Sequence, residues 1–66
     1  MNGIIKKLVL ERGFGFITPE GQAKDVFFHK DGLVGLIYED LREGDAVSFD
    51  VEDSNKGPRA VNVQRA

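Results

Sequence analysis

Four rings at strand spacing, Phe14, Phe16, Phe27 and His29, are the side chains in this sequence best suited to engage a ligand. They sit in two short runs, Arg12-Gly13-Phe14-Gly15-Phe16-Ile17 and Asp25-Val26-Phe27-Phe28-His29-Lys30. In extended chain, alternate residues share a face, so Phe14 pairs with Phe16 and Phe27 with His29. Their chemistry is stacking rather than bond-making. Flat rings bordered by Lys7, Arg12 and Lys30 suit unstacked bases, which offer a π-face beside a phosphate, and each stack is worth about 1–3 kcal/mol.

Catalytic and metal chemistry find little support. There is no Cys and only one His, so neither a thiolate site nor a histidine-built zinc site can form. Gly13-Phe14-Gly15 lacks the third glycine and the following helix of a dinucleotide fingerprint. No Ser or Cys nucleophile accompanies His29 in a recognisable arrangement, and the carboxylates are scattered. The expectation is a non-enzyme without cofactor or metal.

The chain has 66 residues and a net charge of −2. That length predicts one domain over residues 1–66, and a domain this small buries only about 60% of its unfolded surface. Bulk charge argues against a purely electrostatic nucleic-acid binder, but the charge is unevenly placed. Residues 1–30 carry +2 and residues 31–66 carry −4, so the aromatic runs lie in the basic half. No apolar run is long enough for a signal peptide or a membrane span, and a cytoplasmic location is expected.

The elements that must hold the rings read as strands. Gly3–Leu10 is rich in Ile, Leu and Val and forms the first, although Leu8-Val9-Leu10 breaks its alternation and points to a bulge or to burial on both faces. Phe14–Thr18 is the second strand, followed by a Pro19-Glu20-Gly21 turn, and Asp25–His29 is the third. Lys30–Gly35 reads as a helical turn or loop, and Leu36–Glu43 as a long connection anchored by Leu41. Ala46–Glu52 alternates strictly, with Val47, Phe49 and Val51 inward; Asp53–Pro58 reads as a loop. Arg59–Gln64 is the last strand, with Ala60 on the face opposite Val61 and Val63. Five short strands with no helix of ten residues predict an all-β fold, and closure is how so small a sheet protects its edges. A five-stranded antiparallel Greek-key barrel of the OB type is expected.

If Ile17, Val26 and Phe28 line that barrel, the ring face points outward. Contiguous exposed apolar patches mark binding surfaces. The two runs resemble the first and second ribonucleoprotein motifs of the bacterial cold-shock domain. Leu41-Arg42-Glu43-Gly44, Val47-Ser48-Phe49 and Lys56-Gly57-Pro58-Arg59-Ala60-Val61-Asn62-Val63 are similar to later segments of the same family. The resemblance implies an OB barrel that binds single-stranded DNA or RNA with little sequence selectivity, some members acting as RNA chaperones. Carried residue by residue, it implies stacking on Phe14, Phe16, Phe27, His29 and Tyr38. It also implies basic contacts from Lys6 and Arg12, a base-edge hydrogen bond from Asp25, and a groove border at Lys56 and Arg59. The RRM sandwich, whose first motif begins similarly, needs two helices and the opposite motif order.

The chain departs from the family where the first strand, usually Lys-Trp-Phe-Asn, reads Lys6-Lys7-Leu8-Val9, and where Lys30 replaces a common Phe. Rings are thereby exchanged for cations, predicting weaker and more salt-sensitive binding. The expected partner is single-stranded RNA or DNA, and the expected state a monomer. The alternative is a self-associating or protein-binding barrel whose nucleic-acid affinity has declined.

Overall fold

The computed structural model describes every residue except Ala23 and Lys56. Its strands are β1 (Asn2–Val9), β2 (Phe14–Pro19), β3 (Val26–His29), β4 (Ala46–Ser54) and β5 (Gly57–Arg65). They close into a barrel in the order β1-β2-β3-β5-β4, with β4 returning to β1. The expected all-β barrel is therefore present. Its β3–β5 seam runs parallel while the other pairs are antiparallel. Between β3 and β4 the chain makes two single turns of 3-10 helix, Lys30–Gly32 and Tyr38–Asp40, where the sequence shows neither strand nor helix period.

The core is Ile5, Ile17, Val26, Phe28, Tyr38, Leu41, Val47, Phe49, Ala60 and Val63. Gly15 lies within it for a steric reason. It faces Phe28 across the β2–β3 ladder, and a Cβ there would stand 2.5 Å from the Lys7 carbonyl oxygen and 2.8 Å from the Phe28 ring. The missing side chain is the space the Phe28 ring occupies.

Two register shifts set which residues face outward. The β1–β2 ladder pairs Ile5 with Ile17 and then Lys7 with Phe16, leaving Lys6 as the extra residue of a bulge. The broken alternation of the first strand has this cause, and both lysines are exposed. The second shift separates Ser48↔Gln64 from Asp50↔Val61, so β5 uses one more residue than β4. Asn62 at φ 53 supplies it, and Ala60 and Val63 both become buried. Ala60 and Val63 thus share the core, where simple alternation would place them on opposite faces.

Val51 also departs from expectation. It is 42% exposed because β4 pairs with β1 only through Ala46–Ser48. Beyond Phe49 the strand has a neighbour on one side alone, and the β4–β5 hairpin continues through Ser54↔Gly57. The segment expected as a loop, Asp53–Pro58, is therefore mostly paired strand. This extension builds one wall of the groove described next.

Candidate nucleic-acid interface

The ladders arrange the outer face of the barrel in rows. One row crosses four neighbouring strands as Lys7, Phe16, Phe27 and Arg59, each the Cα partner of the next. A second row runs Val9, Phe14 and His29. At the level beyond Phe16, the bulged Lys6, Thr18 and Asp25 form a polar rim. Of the residues singled out in the sequence, the structure brings Lys6, Lys7, Phe14, Phe16, Asp25, Phe27, His29 and Arg59 to one continuous surface.

Three of the rings form a mutually contacting group. Phe14 and Phe27 have centroids 5.3 Å apart at 41°, Phe14 and Phe16 are 5.9 Å apart nearly edge-on, and Phe16 and Phe27 are 6.2 Å apart at 70°. These are favourable aromatic separations. All three rings are half-buried, fixed by their neighbours yet open to solvent on one side. Together with Ser54, Asn55, Gly57, Pro58 and Arg59 of the hairpin they line a groove of about 750 Å³. The hairpin wall was not legible from the sequence, because the polar stretch that forms it carries no apolar alternation.

His29 borders a smaller depression of about 240 Å³, lined also by Asp31, Asn62 and Arg59. Its Nδ1 accepts from the Asp31 backbone N–H at 3.2 Å, with the Asp31 carboxylate 3.4 Å away. The ring orientation is thus set by the chain just after β3. Arg59 lines both depressions and joins them.

A larger, open depression of about 960 Å³ lies elsewhere, lined by residues such as Ile4, Pro19, Gln22, Ala46 and Ala66. Among the described residues its lining has no aromatic ring, and its lysine, Lys6, is paired with Asp25. It offers neither stacking nor an uncommitted cation.

The charged groups divide into committed and uncommitted. Lys6 Nζ lies 3.2 Å from Asp25, and Arg59 lies 3.5 Å from Glu52. Such exposed pairs contribute little stability and yield readily to a competing ion. Asp25 also accepts a 2.8 Å hydrogen bond from the Thr18 hydroxyl. That bond, ahead of the Lys6 charge, holds its carboxyl below the ordinary value of 3.8. A base edge that uses Asp25 must share it with these partners. By contrast Lys7, Arg12 and Lys30 have no ion pair among the described residues. Arg12 lies in the β1–β2 turn, and the Lys30 stem runs beside Gly13, whose carbonyl accepts from the Lys30 N–H at 2.9 Å. Free positive charge therefore gathers along β1, its turn and the end of β3.

Tyr38 requires a correction. The resemblance gave it a stacking role, but it is 6% exposed, with its ring 6.4 Å from that of Phe28 inside the barrel. Its hydroxyl lies 2.6 Å from the Phe14 carbonyl oxygen and 3.0 Å from that of Val9. These two carbonyls flank the β1–β2 turn, so Tyr38 pins both ends of the hairpin that presents Phe14. Burial pushes its phenol above the ordinary 10.0. Tyr38 is a positioning residue, with no face free for a base. Lys56, also named from the sequence, lies outside the described residues.

The profile of the "'Cold-shock' DNA-binding domain" matches residues 1–66. The chain belongs to the cold-shock domain family. It is similar to cold shock-like protein CspB of Bacillus cereus, 46% identical over 65 residues that cover 98% of each chain. It is equally similar to CspB of Yersinia pestis, 46% identical over 63 residues, 96% of this chain and 90% of that one. Cold shock-like protein CspC of Escherichia coli K12 is 44% identical over 63 residues, 96% of this chain and 91% of the other. Cold-shock domains are nucleic-acid-binding modules. No helix among the described residues is long and apolar enough to cross a membrane.

Proposed function

We propose that this cold-shock domain binds single-stranded RNA or DNA with low sequence selectivity, stacking bases on Phe14, Phe16, Phe27 and His29. The observation that carries this reading is the three-ring group held half-open on one face, with centroids 5.3–6.2 Å apart. A folded barrel gains more by burying such rings than by leaving them in water. Lys7, Arg12, Lys30 and Arg59 meet the phosphates, and every base has a π-face, so stacking is tolerant of sequence. By holding bases apart from their pairing partners, the domain acts as an RNA chaperone in the cytoplasm, working as a monomer.

With Lys7 where relatives of the family carry a ring, charge bears more of the binding than stacking. Salt sensitivity is correspondingly steep. Fluorescence anisotropy with labelled oligo-dT and oligo-U across a salt series tests the reading. Binding at low salt, weakened in Phe14→Ala and Phe27→Ala, supports it; no binding, or equal binding by the variants, sinks it. The rival is self-association through the same face, motivated by the acidic second half and the first-strand lysines. Sedimentation velocity across concentration separates the two, since a monomer at all concentrations removes the rival.

A further inference from the structure

The row Lys7–Phe16–Phe27–Arg59 has a feature that the aromatic motifs alone do not show. Two adjacent rings are bracketed by a cation on each neighbouring strand. Strands lie about 4.8 Å apart, so the bracketing Cα atoms stand about 14 Å apart across the face, less the curvature of the barrel. Phe16, Phe27 and Arg59 project outward, since their strand neighbours Gly15, Phe28 and Ala60 are buried, and Lys7 is itself exposed beside Leu8, which packs against the core. The cations reach the row by different routes. Lys7 arrives through the bulge at Lys6, and Arg59 comes from the hairpin that walls the groove.

We propose that this row is a two-base subsite clamped at both ends, whose smallest complete ligand is a single-stranded dinucleotide carrying a phosphate at each terminus. The inference rests on the stacking reading above and makes it specific. Two bases cover Phe16 and Phe27, the phosphate between them bridges the ring pair, and the outer phosphates fall to Lys7 on one side and Arg59 on the other. Arg59 is held in place before binding by Glu52, the next residue in the row, at 3.5 Å. The arriving phosphate displaces that carboxylate, so Glu52 lowers affinity at the Arg59 end. Lys7 has no ion pair among the described residues and engages its phosphate without competition.

The test is an NMR titration at low salt with four thymidine dinucleotides, bearing no terminal phosphate, a 5′-phosphate, a 3′-phosphate or both. The terminal phosphate at the Lys7 end should strengthen binding by about fivefold, the attraction of unit charges about 4 Å apart in water, and the one at the Arg59 end by less, because Glu52 competes for Arg59. Lys7→Gln should become blind to one terminus and Arg59→Gln to the other, which also fixes the polarity of the strand. Both residues are exposed, so the variants keep the fold. Glu52→Gln should strengthen only the ligands that carry the phosphate at the Arg59 end. With a longer oligo-dT, each clamp variant should lower the slope of log K against log salt by about 0.7. Dinucleotides indifferent to their termini, or a terminal gain undiminished in both clamp variants, would overturn the clamp. So would oligo-dT slopes unchanged by the two substitutions. If the wild type binds oligo-dT while any of these results holds, only the clamp fails; if it binds no oligo-dT at all, the stacking reading fails with it.

Discussion

Replacing Tyr38 with Phe removes one oxygen atom and separates two roles that a resemblance alone would merge. The Tyr38 hydroxyl serves the carbonyl oxygens of Phe14 and Val9 at 2.6 and 3.0 Å, while its ring packs in the core 6.4 Å from Phe28. Phe keeps the ring, so no cavity opens. What is lost is a partly buried hydrogen bond: the Val9 carbonyl keeps the backbone N–H groups of Arg12 and Gly13, while the Phe14 carbonyl loses its 2.6 Å hydroxyl partner. A net hydrogen bond is worth about 0.5–1.5 kcal/mol, and a buried group left unpaired costs about 1–3 kcal/mol, so a loss of about 1–2 kcal/mol is expected. For a domain of this size, 1 kcal/mol corresponds to about 4–8 °C in the melting midpoint, and the variant should melt about 4–16 °C lower. Thermal unfolding followed by circular dichroism measures this. Oligo-dT affinity, measured well below the midpoint, should change less than about threefold, since no stacking face is removed. A variant that melts like the wild type but loses about five- to hundredfold in affinity, the worth of a lost base stack, would refute the burial argument and return Tyr38 to the platform.

Other outcomes follow from the same geometry. Gly15→Ala forces a methyl against the Lys7 carbonyl and the Phe28 ring, and such overpacking costs about 1–3 kcal/mol or more; an unchanged melting midpoint would contradict the packing described. Lys7→Trp places a ring opposite Phe16 and should tighten oligo-dT binding at high salt by about five- to hundredfold, one stack, while flattening the salt slope by about 0.7. Weaker binding at every salt concentration would show that the outward row is misplaced. The Asp25 carboxyl is held below 3.8 chiefly by Thr18, so a depressed folded value stabilises the fold above the unfolded one and is lost as pH falls through it, below about pH 4. Carboxyl titration by NMR should show its midpoint below 3.8 and an upward move in Thr18→Ala; a midpoint at or above 3.8 in the wild type would contradict the pairing.

The barrel and its ring face were legible in the sequence because both rest on period-two alternation. Phe14, Phe16, Phe27 and His29 alternate with Gly15, Ile17, Val26 and Phe28, and nothing interrupts β2 or β3. Legibility fails where a single backbone feature changes the phase. Asn62 at φ 53 moves Val63 into the core with Ala60, and its sequence carries no apolar signal of that turn. The role of Tyr38 was hidden for a different reason, since its hydroxyl partners lie 24 and 29 residues away and its own segment has no period. Val51 was misplaced because alternation says which side a residue faces but not where the barrel ends. The pairing of Asp25 with Thr18 and of Arg59 with Glu52 depends on which strands become neighbours. Composition therefore identified the cations but not which of them are free.

The central claim is that the half-open rings of β2 and β3 are a stacking surface for single strands. The most direct measurement is the affinity of the wild type and of Phe27→Ala for the same labelled oligo-dT at one low salt concentration. Phe27 contacts both Phe14 and Phe16, so its loss removes one stack and loosens two others. The account predicts an affinity lower by about five- to hundredfold, the worth of about 1–3 kcal/mol of stacking, with the barrel still folded by circular dichroism. Equal affinity in a folded variant would contradict it.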